Sequence, residues 1–257
     1  TSPSDNFGSC GVAISGNYAI VGARYDDDDG ENSGSAYVFD VTTGNQLRKL
    51  TASDAAAGDR FGNSISASGN FVIIGTPRDD NPNDSGSAYI FDVTTGTQLV
   101  KLTASDAADD DQFGLEVGID GNYAIVGAMG DDDDGNSSGS AYIFDVTNGN
   151  QLRKLTASDA DGGDYFGSSV AISGTKCIVG ANGNDDTASY AGSAYIFNVT
   201  TGAELHKLTA SDAAEMDEFG SSVAISGNYA LVGAAYDDDD GASSGSVYVF
   251  DVTTGNQ

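Results

Sequence analysis

The sequence is poor in the residues that carry most enzyme and metal chemistry. Its 257 residues include no tryptophan, one histidine (His206) and two cysteines (Cys10 and Cys177). One histidine cannot supply a His-based triad or a histidine metal cluster. Two cysteines give neither a disulfide framework nor a zinc site. Without tryptophan, only tyrosine could serve as a strong stacking platform for sugars. Positive charge is scarce too: 10 Lys and Arg stand against 39 Asp and Glu, a formal net charge of −29. That excess disfavours nucleic acid and anionic membrane surfaces, both of which need a basic face. No apolar run approaches the roughly 18 residues of a transmembrane helix, and no signal peptide is visible, so membrane insertion is not expected.

Glycine and aromatics are present in quantity: 35 Gly, 12 Tyr and 11 Phe. A chain this acidic would ordinarily read as disordered, but it is periodic. Phe-Gly recurs at Phe7-Gly8, Phe61-Gly62, Phe113-Gly114, Phe166-Gly167 and Phe219-Gly220, in steps of 54, 52, 53 and 53 residues. The repeats run approximately 7–60, 61–112, 113–165, 166–218 and 219–257. Each holds four short strand patterns, A to D. Strands A and B (Ser-Val-Ala-Ile-Ser and Tyr-Ala-Ile-Val-Gly-Ala) are joined by a Gly-Asn or Gly-Thr turn. Strand C (Ser-Ala-Tyr-Ile-Phe-Asp) leads through an Asp-Val-Thr-Thr-Gly turn into strand D (Gln-Leu-Arg-Lys-Leu), which the fifth repeat lacks. The Ser-Asp-Ala-Ala linker after strand D reads as one capped helical turn. The pattern predicts an all-β chain: a single β-propeller over 1–257, each four-stranded antiparallel blade too small to stand alone.

In such a blade the B–C and D–A connections share one face, and they contain 32 of the 39 acidic residues. Carboxylates held so close must be screened or neutralised, and clustered hard oxygen ligands suit Ca²⁺. The candidate ligands are the acids that recur. They are Asp27, Asp80, Asp132, Asp185 and Asp238 in the B–C loops, with Asp28, Asp133, Asp186 and Asp239 beside them. Two residues before Phe-Gly stand Asp59, Asp111, Asp164 and Asp217, with Asp5 in the first copy. The same residues could instead cap turns or form a solvated face, and the runs do not fit an EF-hand register. Basic residues concentrate on strand D (Arg48, Lys49, Lys101, Arg153, Lys154, Lys207), where they read as guards of an exposed edge. His206, on the same strand, reads as a surface residue. Cys10 and Cys177 read as buried thiols.

The Phe-Gly opening, the Val-Gly-Ala ending strand B (Val21-Gly22-Ala23, Val126-Gly127-Ala128, Val232-Gly233-Ala234) and the Gly-Ser-Ala-Tyr of strand C resemble the FG-GAP repeat of integrin-α-type β-propellers, in a variant found in bacterial and algal surface proteins. The resemblance implies extracellular or cell-surface placement, and seven blades if the native chain is longer, as repeats cut at both ends suggest. The family's Asp-x-Asp-x-Asp-Gly calcium loop between strands A and B is absent. Only Ser15-Gly16-Asn17 and its equivalents stand there, too short to wrap an ion.

The expected function is therefore a non-enzymatic extracellular or cell-surface module for adhesion, matrix or assembly, with a protein or glycan ligand and divalent cations as partners. Ca²⁺ bound on the acidic face would stabilise it. Alternatives are a lectin-like propeller and an accessory domain of a larger secreted enzyme. Phe-Gly-Ser-Ser lacks the Gly-x-Ser-x-Gly nucleophile elbow, and polyacidic loops in water do not split two carboxyl pKa values for acid–base work.

Overall fold

The computed structural model describes residues 5–79 and 83–257. Asp80, one of the candidate ligands, lies outside the described residues. The elements follow the repeat. The first comprises β1 (Val12–Ser15), β2 (Tyr18–Ala23), β3 (Ser35–Asp40) and β4 (Gln46–Leu50), and the second β5 (Ile65–Ser68), β6 (Phe71–Thr76), β7 (Ser87–Asp92) and β8 (Thr97–Leu102). The third comprises β9 (Val117–Asp120), β10 (Tyr123–Ala128), β11 (Ser140–Asp145) and β12 (Gln151–Leu155). The fourth has β13 (Phe166–Ser173), β14 (Lys176–Ala181), β15 (Ser193–Asn198) and β16 (Glu204–Leu208), and the fifth β17 (Phe219–Ser226), β18 (Tyr229–Ala234) and β19 (Ser246–Asp251). Each repeat is one sheet with its strands in chain order, giving among the described residues four sheets of four strands and one of three.

The turns obey their residues. In the first C–D turn the Asp40 carboxylate accepts the amides of Thr42 and Thr43, both at 2.8 Å, and Gly44 supplies a φ of 73°. Those amide bonds hold the Asp40 carboxyl below its usual range. Asp92, Asp145 and Asp251 repeat the cap. The linker after strand D does not form a helical turn. It makes two consecutive tight turns, Ala55 N–H to Ala52 C=O and Asp59 N–H to Ala56 C=O, and the Asp59 carboxylate takes the Ala56 amide at 2.6 Å. That side-chain acceptor competes with helical bonding and wins.

The chain divides into two compact units, Thr1–Ala124 with Phe144–Gln151 and Ile125–Ile143 with Leu152–Gln257. In the first, one core cluster joins repeats 1 and 2: Ile20, Ala36 and Val38 from one sheet, Phe61, Val72, Ile74, Tyr89 and Phe91 from the next. In the second, Ile178, Ala194 and Ile196 meet Phe219, Ala230, Val232, Tyr248 and Phe250 in the same way. The core thus lies between sheets, as expected of units that cannot bury a face alone. The buried phenylalanines of the Phe-Gly pairs pack on aromatic residues of their own strand C: Phe61 edge-on to Phe91 and tilted to Tyr89, Phe219 edge-on to Phe250 and tilted to Tyr248, with centroids 5.5 to 5.9 Å apart. Such edge contacts add to the area term.

The motif glycines have a steric reason. A Cβ on Gly22 would overlap the carbonyl oxygen of Gly62, and one on Gly180 the carbonyl of Gly220. The glycine of Val-Gly-Ala in one repeat therefore lies backbone to backbone with the glycine of Phe-Gly in the next. A parallel bridge beside this contact pairs Gly34 with Phe61, Gly86 with Phe113, Gly139 with Phe166 and Gly192 with Phe219.

Candidate functional site

The B–C loop and the linker of one repeat run side by side. Gly58, Arg60 and Phe61 donate their amides to the carbonyls of Glu31, Asn32 and Ser33, and Met216, Glu218 and Phe219 to those of Ser189, Tyr190 and Ala191. The acidic segments are thus adjacent within a repeat, as the one-faced reading requires.

The structure sorts the predicted ligands into two kinds. Asp27, Asp28, Asp132, Asp133, Asp185, Asp186, Asp238 and Asp239 are exposed on the loops. Asp27 and Asp132 close their loops by accepting the amides of Asn32 and Ser137, at 2.7 and 2.6 Å. Asp28, Asp133 and Asp186 each lie 2.5 Å from a lysine Nζ of strand D in the same repeat. Asp59, Asp111, Asp164 and Asp217 are buried, each taking the amide three residues before it, at 2.6 to 3.0 Å. Asp5 is buried as well. Burial, together with the nearby Asp79 charge, pushes the Asp59 carboxyl up to about 6. Asp164 is raised too, burial again leading.

A buried group precedes the predicted ones, and sequence reasoning missed it. Asp26, Asp79, Asp131, Asn184 and Asp237 are almost fully enclosed. The Tyr37 hydroxyl donates to Asp26 Oδ2 at 2.7 Å, and Lys49 Nζ lies 2.8 Å from Asp26 Oδ1. Burial works to raise the Asp26 pKa, but the Lys49 and Tyr37 hydrogen bonds outweigh it and hold it at about 2. Tyr142 and Lys154 repeat the arrangement on Asp131, at 2.7 and 2.9 Å.

The cluster also ties repeats together through the linker aspartate. Lys101 Nζ lies 2.9 Å from Asp79 of its own repeat and 2.9 Å from Asp54 of the repeat before, and Tyr89 O–H contacts the same two carboxylates. In the second unit Lys207 Nζ lies 2.7 Å from Asp159, to which Tyr195 donates at 2.9 Å. Asn184 replaces the buried aspartate there and accepts from Lys207 at 3.4 Å. Each lysine also sits over the ring of its tyrosine, 5.4 to 5.7 Å from the centroid.

These contacts correct the reading of strand D as a solubilising edge. Lys49, Lys101, Lys154 and Lys207 are half-buried counter-ions of the loops. Arg48 and Arg153 reach the carbonyls of Thr94 and Thr200 in the following repeat's turn, and His206, in their position, approaches Thr253 O at 3.2 Å. Gln98 and Glu204 likewise accept the amides of Ser53 and Ser158 in the preceding linker. Strand D is a joining element. Both cysteines are free thiols, but Cys10 is only half-buried, because it precedes β1 rather than lying within a central strand; Cys177 is enclosed.

The fifth repeat keeps the tyrosine and the two aspartates. The Tyr248 hydroxyl lies 2.7 Å from Asp237 and 2.9 Å from Asp212, and can donate only one hydrogen. The Asp237 charge, then burial, raises the Asp239 carboxyl.

Comparison with known proteins agrees with the repeat. The model of the FG-GAP repeat matches residues 1–39, 45–91, 97–144, 150–197 and 203–250. No curated protein matches the chain. Among solved structures, the computationally designed Ika8 protein is similar at a TM-score of 0.62 and 19% identity, over 96% of this chain and 59% of that one. The chain therefore spans little more than half of that structure, and the likeness is one of fold. With five consecutive matches along its length, the chain belongs to the FG-GAP repeat family.

Proposed function

We propose that the chain is a non-enzymatic extracellular or cell-surface module whose sheets are blades of a β-propeller, and that it serves adhesion, matrix or assembly contacts through its acidic loop edge. The supporting observation is a division of labour among the recurrent residues. The Phe-Gly pairs, strand-C tyrosines, strand-D lysines and buried aspartates are consumed in contacts within and between repeats. The loop tips around Asp27, Asp132, Asp185 and Asp238 stay exposed, and three of them repeat one Asp-Asp-Asp-Gly run, at 27–30, 132–135 and 238–241. Exposed loops positioned by a rigid scaffold are where binding residues are commonly placed. Its partner is a protein or glycan presenting basic or polar groups, not a polyanion.

Ca²⁺ fits this reading unevenly. In the first four repeats a lysine ammonium already lies against the buried and loop side chains, so an ion would have to displace it. Among the described residues, the carboxylates close enough to share an ion are those of Asp106, Asp131 and Asp133, whose oxygens lie within 4.8 Å of one another. These residues would hold the ion in place of the Lys154 ammonium. Thermal unfolding with EDTA, Ca²⁺, Mg²⁺ and NaCl of matched ionic strength tests this part: a rise specific to Ca²⁺ supports it, an equal rise with NaCl is screening alone.

The binding role is tested by presenting the chain to immobilised matrix and cell-surface proteins and to a glycan array, beside an Asp132→Asn/Asp238→Asn variant. Protein binding that the variant loses supports the loop edge. Glycan binding alone would favour the lectin-like reading, and binding unchanged in the variant would move the contact surface elsewhere.

A further inference from the structure

The repeats copy one another closely, and three side chains that break the pattern meet. Arg24 follows the first Val-Gly-Ala, where the other repeats have Pro77, Met129, Asn182 and Ala235. After Phe-Gly, repeats 4 and 5 have Ser168-Ser169 and Ser221-Ser222, whereas repeat 2 has Asn63-Ser64 and repeat 3 has Leu115-Glu116. Arg24, Asn63 and Glu116 come from three successive repeats, all inside the first unit, and line one cavity of about 420 Å³. Cys10, Ser64 and Ile65 line it as well.

The scaffold leaves two of these groups unspent. Ser64 and Ser169 each donate to the Phe-Gly glycine carbonyl of the next repeat, at 3.1 and 2.7 Å. A carboxylate in that position cannot donate such a bond, and among the described residues no hydrogen bond or ion pair reaches Glu116. Burial alone pushes its carboxyl up to about 7, with no neighbouring charge contributing, so Arg24 does not neutralise it. Arg24 is itself held in place. Its Nη1 donates to Asn63 Oδ1 at 3.0 Å, and the guanidinium lies over the Tyr25 ring, 4.8 Å from the centroid. Asn63 is fixed in turn by donating to the Leu115 carbonyl at 3.1 Å. Among the described residues Nη2 of Arg24 has no hydrogen-bond partner.

The cavity thus presents a positioned guanidinium and an unpaired carboxylate at separate points of its wall. A simple anion would be repelled by Glu116, and a simple cation by Arg24. A zwitterion satisfies both through charge-assisted hydrogen bonds, which are stronger than neutral ones. The volume is at the small end for ligand sites and suits a molecule of amino-acid size rather than an oligosaccharide or a peptide.

We propose that this cavity binds a free aliphatic α-amino acid, with its carboxylate on Arg24, its ammonium on Glu116 and its side chain against Ile65. The site uses none of the loop-tip aspartates, so it stands or falls separately from the adhesive reading. Cys10, as a wall residue, reports whether the cavity is filled.

Calorimetric titration of the whole chain near pH 8, where Glu116 is ionised, tests the proposal. The probes are L-leucine, isoamylamine, which lacks the carboxylate, and isocaproate, which lacks the ammonium. Leucine should bind in the range of roughly micromolar to millimolar, and each analogue about tenfold more weakly or worse. Arg24→Gln should bring leucine down to the level of isoamylamine without weakening isoamylamine itself. Glu116→Gln should bring it down to the level of isocaproate without weakening isocaproate. Leucine should also slow the reaction of Cys10 with a thiol reagent in the parent and in neither variant, while Cys177 is unaffected. Circular dichroism checks that both variants fold. No heat and no protection of Cys10 at about ten millimolar leucine overturns the proposal. So does leucine binding no tighter than isoamylamine, or binding that is unchanged in either variant.

Discussion

Lys207 and Asp159 belong to different repeats, yet Nζ and Oδ2 lie 2.7 Å apart, and the same ammonium reaches Asp186 at 2.5 Å. One lysine thus satisfies a linker of the repeat before it and a loop of its own. Burial works to lower its pKa, but Asp159 and Asp186 outweigh that and hold it above the ordinary lysine value. Lys207→Met should destabilise the chain by about 1–2 kcal/mol, below the cost for a fully buried pair because the ammonium is partly solvated. Urea unfolding measures it. Adding Asp159→Asn to Lys207→Met should cost less than the two single changes summed, since the aspartate would already have lost its counter-ion. Strict additivity would mean that the pair contributes nothing to holding the repeats together.

The repeated antiparallel sheets were legible because Phe-Gly, Val-Gly-Ala and Asp-x-Thr-x-Gly each answer a local backbone demand, and five copies allow them to be aligned. The buried aspartates were not. Position 26 and its equivalents include Asn184, whereas the next position is aspartate in every copy, so strict recurrence favoured the exposed neighbour. A signal was available in the spacing: Asp26 precedes Tyr37 by 11 residues and Lys49 by 23, and Asp131 precedes Tyr142 and Lys154 by the same intervals. Spacing alone cannot say that a residue on strand D reaches over strand C to the loop, and so the lysines looked like edge guards. The linker aspartates needed still more, because their partners lie in the next repeat. The linker's helical propensity misled for a simpler reason: the Asp59 carboxylate captures the Ala56 amide that a helix would use.

The two motif glycines make a controlled comparison. Gly180→Ala drives a Cβ into the Gly220 carbonyl, and neither backbone can retreat without opening the junction between repeats 4 and 5. Overpacking of this kind should cost about 2 kcal/mol or more. Gly233→Ala, at the equivalent place in the fifth repeat, meets only the Ser222 side chain, which can rotate away. Its cost should be clearly smaller. Chemical denaturation of the two variants side by side measures the difference, and equal losses would remove the backbone contact as the reason for the motif.

Two carboxyls should pull stability in opposite directions with pH. Asp26 is held at about 2, so its contribution is present above the unfolded-state value near 4 and disappears as pH falls through about 2. Asp59 is raised to about 6, so its contribution is present below about 4 and is lost as pH rises through 6, when a carboxylate must stand buried. One Asp59 oxygen has no hydrogen-bond partner, which is tolerable for a carboxyl carrying a proton and costly for an anion. Asp59→Asn should therefore reduce the fall in stability between about pH 4 and 6 and leave the acid limb unchanged. Urea midpoints at several pH values check this. A variant with the parent's slope across that window would assign the titration to another group.

The cysteines give a local probe of the fourth sheet. Cys177 is fully enclosed on β14, between β13 and β15, and burial pushes its thiol up to about 12. Cys10 is half-buried ahead of β1. Near pH 8 a thiol reagent should modify Cys10 promptly and Cys177 only as fast as the sheet opens, because both the thiolate and a path to it are missing in the closed state. One fast thiol per chain in native buffer and two in denaturant is the expected count. The slow phase should quicken in Gly180→Ala, which loosens the junction beside β14, and should stay nearly unchanged in Gly233→Ala. Equal, fast labelling of both thiols would mean that β14 is not held between its neighbours in solution.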